Sequence, residues 1–435
     1  MELVPGFLTL VHGLSAAMTA PTFTSFSTVL TGWVFASRRT VTRMILAAGG
    51  SADKHFSSYH RLFSAARWSL DAVGLALFEL MQPFLGNVVM LGLDDTLARR
   101  RGLKVFGAGM HHDPLLSSRG KAITHWGHSW VVLGVIVELP FRRGHYYCLP
   151  ILFRLYLNTK SAAKHRRVYR TRPELAVEML ELLCNPRKTR RFHAVADSAY
   201  GGQSVLCHLP SNCDLTSRLV KDARLYDAPP ERKAGTNGRP RQRGVRLPTP
   251  LVMLENRCRH VTLDIYGRRE QARLNDQLAH MYAAPRRPLR VVAVEALKGG
   301  RGQEAFYSTC FTATAEQVVG WYAMRWSVEV TNRDSKQDLG FEEPQSWTRR
   351  SVERTAPVAM LLYSLIILWF AREGHRDWRP TLRPWYPSKA EASFADMLAL
   401  LRRQSVQRQV SAWALGRRGS RKVQKLLENV ISLAA

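Results

Sequence analysis

Hydrophobic and polar positions alternate between two regimes along this chain. Over residues 1–85 the apolar residues recur at helical spacing, broken by Gly49-Gly50 and closed near Pro83, which predicts a helical N-terminal region. From residue 87 the pattern turns to unbroken apolar runs. Residues 87–93 (NVVMLGL), 130–139 (WVVLGVIVEL) and 146–157 (YYCLPILFRLYL) each read as a strand buried on both faces. A helix then starts at Pro173, runs through ELAVEMLELL and stops at Asn185-Pro186. A short strand follows at 192–196 (FHAVA), and after it a Gly201-Gly202 turn leads into a further helix. Three strands, a helix, a fourth strand and a helix predict an α/β core.

Residues 222–312 interrupt that order. They open with a Gly/Pro/Arg-rich tract (232–248) and continue as β-prone segments at 260–266, 289–294 and 305–311. Helical periodicity resumes at Ala315 and runs to the end, broken only by the proline-rich stretch 379–387. The division expected is therefore 1–85, 86–221, 222–312, 313–375 and 376–435. The most apolar run, 358–371 (VAMLLYSLIILWFA), falls short of the roughly 20 residues a membrane-spanning helix needs and reads as a core helix, with no membrane partner.

Composition narrows the class of partner. Lys and Arg number 63 against 34 Asp and Glu, a formal charge of +29 over 435 residues, while 46% of residues are hydrophobic. Such a chain can bury a core, which excludes disorder and a histone-like polycation, and its basic excess points to a polyanion. Basic residues cluster at Arg99–Arg101 with Lys104, at 160–191 (ten basic, three acidic) and from 401 onward (eight basic, one acidic). Arg38, Arg39 and Arg43 at a helix start leave two readings of residues 1–85, a DNA-contacting module or a packing subdomain. The six cysteines are too far apart for a zinc site and read as buried thiols in a reducing cytoplasm.

Carboxylates supply the candidate chemistry. Asp94-Asp95-Thr96 directly follows the first buried strand, and Asp197 directly follows the fourth. If those strands are neighbours, their terminal acids stand side by side, a hard-oxygen set suited to Mg²⁺ or Mn²⁺. Each aspartate also has a plainer reading as a cap of the next turn. The third element is the helix from Ala315, on which Tyr322, Arg325, Glu329 and Lys336 fall within an arc of roughly 60°, bordered by Trp326. An Arg325–Glu329 pair on a solvated helix explains the charges but not two aromatics on the same side. His111-His112-Asp113, His125 and His128 lack the helical i, i+4 spacing of a zinc protease and are expected to be structural or to lie near DNA.

The spacing Tyr322-x2-Arg325-x3-Glu329-x6-Lys336 resembles the YREK signature of a branch of bacterial insertion-sequence DDE transposases. At roughly 5% frequency per residue type, four such fixed matches arise by chance in well under one in a hundred chains of this length. The resemblance covers roughly residues 87–345. It implies a ribonuclease H-like mixed sheet flanked by helices, with a β-rich insertion between the second Asp and the Glu and helical N- and C-terminal regions. It further implies a catalytic triad Asp94, Asp197 and Glu329 holding two divalent cations, with Tyr322, Arg325, Trp326 and Lys336 on DNA. Asp95 competes with Asp94 for the first position, and the Asp-x-Thr form favours Asp94.

The activity implied is cut-and-paste transposition by phosphodiester cleavage and strand transfer. Its partners would be double-stranded DNA, at the terminal inverted repeats and the target, and a second copy of the chain. The expected location is the nucleoid of a bacterial cytoplasm. The alternatives are a non-catalytic DNA-binding regulator and a ribonuclease H-like nuclease without strand transfer.

Overall fold

The computed structural model describes residues 2–415, apart from 51–52, 114–115, 119, 232–240, 257, 266, 283, 298–301, 382–383 and 385–386. Part of the basic tract at 232–248 and the basic tail beyond 415 thus lie outside the described residues.

Strand β1 (Val88–Arg99) organises the molecule. It pairs antiparallel with β3 (Thr124–Leu139), which also pairs antiparallel with β2 (Gly109–His112) and β4 (Arg142–Tyr156). On its other edge β1 runs parallel to β5 (Arg191–Ala196), and β5 runs parallel to β6 (Cys213–Leu219). The order β4-β3-β1-β5-β6 is the mixed arrangement expected of a ribonuclease H-like core. Parallel pairing of β1 and β5 requires a crossover, supplied by α6 (Thr159–Lys164) and α7 (Arg172–Cys184). Helix α7 begins with a capping box in which Thr171 and Glu174 satisfy each other's backbone N–H groups, one residue before the predicted start. The turn after β5 leads into only a short helix, α8 (Gln203–Leu206).

The segment 222–312 extends the core sheet. Strand β12 (Gln303–Ser308) pairs antiparallel with β6, and β11 (Ala284–Ala296), β10 (Arg268–Met281) and the short β7 (Leu225–Tyr226) and β8 (Arg246–Leu247) continue outward. Strand β9 (Arg259–Ile265) pairs with β10 as a side branch, and α9 (Pro250–Glu255) packs nearby. Among the described residues this makes one twelve-stranded sheet.

The described residues of the N-terminal region form α1 (Pro5–His12), α2 (Ala20–Phe35), α3 (Val41–Ala48), α4 (Phe56–Ser64) and α5 (Leu70–Leu80). These helices share a core with the sheet: Phe7, Phe26 and Trp33 are buried in the same cluster as Leu91 and Leu133. On the sheet face that carries Gly92 and Val195 lie α10 (Ala315–Met324) and α11 (Trp326–Gln337). Trp33 donates its indole N–H to Leu339 O at 2.9 Å, which ties α2 to the turn after α11. Helix α12 (Arg349–Trp369) carries the predicted apolar run. It continues through a π-turn (Phe370–Gly374) into α13 (His375–Asp377), and α14 (Phe394–Leu415) follows. The helix 349–377 is longer than predicted and apolar enough to span a bilayer, but 94% of its apolar window is buried in protein. Its core role follows from that burial. Of the six cysteines Cys148, Cys184 and Cys213 are buried, and Cys207 is exposed.

Gly92 allows α11 to lie against the sheet, and Gly134 leaves room for Cys148 on β4. A Cβ on Gly92 would meet Val328 Cγ2 at 2.6 Å, and one on Gly134 would meet Cys148 Sγ at 2.4 Å. Thr331 then fixes α11 in place by donating its hydroxyl to Cys148 O at 2.8 Å. Gly92→Val is expected to push α11 off β1 and cost about 1–3 kcal/mol. Chemical denaturation of the variant beside the wild type measures this, and an unchanged midpoint would mean that α11 does not rest on Gly92.

Candidate active site

The parallel register of β1 and β5 sets the acids side by side. Leu93 lies opposite Ala196, so Asp94 and Asp197 are the next residues on two adjacent strands. Gly92 and Val195 both pack against Val328 of α11. Side chains two residues further along a strand return to the same face, so Asp94 and Asp197 look toward α11. From that helix Glu329 approaches, joined to Asp94 through one guanidinium: Arg325 Nη1 is 3.4 Å from Asp94 Oδ2, and its Nη2 donates to Glu329 Oε1 at 2.5 Å.

Asp94 does not end its strand as the apolar pattern suggested. Beyond Leu93 the β5 ladder stops, but β3 keeps pairing with β1 from Asp94 (opposite Val132) to Arg99 (opposite Gly127). Asp197 does end its strand, and it also takes the capping role open to it by accepting from Ala199 N–H at 2.8 Å. Its backbone is held from the neighbouring strand, where Ser217 donates to Asp197 O at 2.8 Å.

Asp94 and Asp95 face opposite sides of the sheet. Asp95 accepts from the Tyr200 hydroxyl at 3.0 Å and from Ser129 at 3.4 Å, and pairs with Arg172 at 3.3 Å. Tyr200 is fully buried and sits in the turn that follows Asp197. The Asp95–Tyr200 bond therefore ties the two acid-bearing segments together from behind. This Ser129–Arg172–Tyr200 network was not foreseen, and no local spacing signals it, because its partners lie up to 105 residues apart.

Burial dominates the electrostatics. It pushes the Asp94 carboxyl up to about 7, opposed by Arg325 and reinforced by Asp95 and Asp197. Burial also raises Asp95, against the pull of Arg172 and Tyr200. Burial works against the charge on Arg325, but Tyr322, Asp94 and Glu329 outweigh it and the guanidinium holds its proton more tightly than usual.

The other predicted residues spread along α10 and α11. These are two helices, not one: they meet at Arg325, where Arg325 N–H bonds Tyr322 O and Val328 N–H bonds Arg325 O, i→i−3 contacts that tighten the chain. The Tyr322 ring is buried against Phe306 at 4.5 Å and under Arg325 at 5.6 Å. Trp326 is 51% exposed at the start of α11. Lys336 lies at the far end, where burial lowers its pKa while Glu342 and Asp113 support its charge and Arg99 opposes it. Among the histidines, burial pushes His111 down to about 4 and His128 down to about 3. His128 bridges Arg100 and Phe106 O, and His125 stands 2.9 Å from Asp113, consistent with structural roles.

Asp94, Asp197 and Glu329 offer oxygen donors and an excess of negative charge, which fit a hard divalent cation. Among the described residues, however, no three His, Cys, Asp or Glu side chains already stand in metal-binding geometry. Arg325 fills the space between two of the acids.

The sequence profile of the DDE superfamily endonucleases matches residues 14–278, more than half of the chain. The chain belongs to this DDE endonuclease family. The match spans Asp94 and Asp197 and ends before Glu329. No curated protein matches the sequence. Among solved structures, the piggyBac transposase in a synaptic complex with hairpin DNA is similar at a TM-score of 0.41 and 11% identity, over 95% of this chain and 75% of that one.

A raised carboxyl pKa has a definite consequence for stability. The folded protein holds the Asp94 proton more tightly than the unfolded chain does, so this contribution is full below about pH 4 and is lost as pH rises toward about 7. Without metal, Asp94→Asn should be more stable than the wild type at pH 8, by up to a few kcal/mol at roughly 1.4 kcal/mol per unit, with the difference shrinking toward pH 4. Denaturation at several pH values in chelator tests this, and a pH-independent difference would contradict it.

Proposed function

We propose that this DDE endonuclease is a transposase of the YREK branch of bacterial insertion sequences, which cleaves phosphodiester bonds at transposon ends and joins them to target DNA. The observation that carries the reading is the convergence of Asp94 and Asp197, from adjacent parallel strands, with Glu329 of α11 on one face of the sheet. In this reading the three carboxylates hold two Mg²⁺ or Mn²⁺ ions. When bound, such a pair activates a water or 3′-hydroxyl and stabilises the leaving oxygen of an in-line displacement.

The chain's own side chains position the substrate. Arg325 meets a phosphate with its planar fork, and Lys336 meets another as a point charge. Tyr322 supports Arg325 from beneath. Trp326, exposed beside the site, offers a face for stacking on an unpaired base. The basic excess of +29 tracks the duplex backbone, so binding weakens steeply with salt. Two copies of the chain bring two transposon ends together, in the nucleoid of a bacterial cytoplasm.

Incubating the protein with the inverted repeats that flank its reading frame, in Mg²⁺ or Mn²⁺, is expected to give cleaved ends, which join to target DNA. Asp197→Asn and Glu329→Gln should abolish cleavage while leaving folding and duplex binding intact. Normal cutting by both variants would contradict the site. Cleaved ends that never join would identify a nuclease without strand transfer, and binding without cleavage by the wild type would identify a regulator.

A further inference from the structure

Arg325 occupies the space that a three-acid centre needs. It contacts Asp94 and Glu329 at once, through two different nitrogens. The side chain is only 17% exposed, and its third nitrogen, Nε, is buried without a hydrogen-bond partner. A guanidinium has five donors in a rigid plane, and a buried donor left without an acceptor is costly. This geometry therefore neutralises two acids and leaves the arginine itself incompletely satisfied. A phosphate offers several anionic oxygens, and the same fork can engage it bidentately.

We propose that Arg325 is the resident counter-ion of the acidic centre: it bridges Asp94 and Glu329 until a divalent cation displaces it, and the displaced guanidinium then turns to a DNA phosphate. The inference rests on the reading of Asp94, Asp197 and Glu329 as metal ligands. Arginine suits this exchange better than lysine, because one ammonium point charge cannot hold two carboxylates in a fixed plane. Cation entry and phosphate capture become one linked step. By linkage, each favours the other to the same extent. The arrangement also holds like-charged acids together before any cation arrives.

The test is Mn²⁺ binding to the full chain without DNA, followed by electron paramagnetic resonance of the free ion. Four variants are compared with the wild type: Arg325→Gln, Arg325→Lys, Asp197→Asn and Arg333→Gln. Arg333 lies two turns further along α11, exposed and paired with Asp334, and controls for the simple loss of a positive charge. Arg325→Gln is expected to bind Mn²⁺ roughly tenfold more tightly than the wild type, a coupling of ordinary size. Arg325→Lys keeps the charge but loses the bridge and should fall between the two, while Arg333→Gln should match the wild type. Circular dichroism verifies that each variant is folded, and the lysine variant decides the matter if the glutamine variant is not. Affinity in Arg325→Lys no higher than in the wild type would overturn the bridge. If Asp197→Asn binds as the wild type does, or no protein binds Mn²⁺, the metal reading fails and the inference fails with it. If Asp197→Asn alone loses binding and both Arg325 variants match the wild type, the metal reading stands and only this inference falls.

Discussion

Asp94 carries a carboxyl that burial and two neighbouring aspartates drive up to about 7, and its surroundings keep it beside Asp197 and Glu329 despite their mutual repulsion. Like charges can be gathered out of water only where a fixed framework and an opposite charge oppose their separation. The framework here is the β1–β5 ladder, whose register leaves the two aspartates no choice of neighbour. The opposite charge is Arg325. Behind the sheet the Asp95–Tyr200 bond adds a second tie between the same two segments, so adjacent aspartates in the sequence do different work on opposite faces. Gly92 completes the arrangement by letting α11 come close enough for Glu329 to reach the centre.

The parts of this design that were legible in the sequence are those written in local pattern. Unbroken apolar runs announced β1, β3 and β4, and the acids placed directly after apolar runs pointed to the first two candidate site residues. Four residues spaced along the 315–337 helical stretch pointed to the third candidate. Other features were hidden for physical reasons. Strand β10 reads RREQARLNDQLAHM, with only Ala272, Leu274 and Ala279 buried, so its pairing partners and not its own apolarity make it a strand. Strand β6 was missed for want of an apolar run, and with it the junction through which β12 joins the later strands to the core sheet. The helix break at Arg325 is set by tight backbone contacts on either side of that residue, which its spacing does not reveal.

The N-terminal helices show what part of the basic excess does inside the fold. Arg39, one of the three basic residues that suggested a DNA-contacting helix, donates to Asp338 O at 2.5 Å and pairs with Glu343 at 3.3 Å. Arg354 of α12 in turn donates to the carbonyls of Phe63, Ala66 and Trp68. Part of the basic excess thus fastens the N-terminal helices to α12 and to the turn that follows α11. The centre that α11 serves is acidic, while the chain as a whole carries a net charge of +29. In the proposed reading, a cation between the two makes that contrast chemically coherent with a nucleic-acid substrate.

The central claim is that Asp94, Asp197 and Glu329 form one cation site, and iron-directed cleavage of the polypeptide tests it most directly. Fe²⁺ bound in place of Mg²⁺ generates hydroxyl radicals with ascorbate and peroxide, and these cut the backbone close to the ion. Mass spectrometry of the fragments should find breaks clustered near residues 94, 197 and 329, all suppressed by excess Mg²⁺. Breaks confined to the histidine-bearing segment 111–128, or scattered with no response to Mg²⁺, would contradict the account.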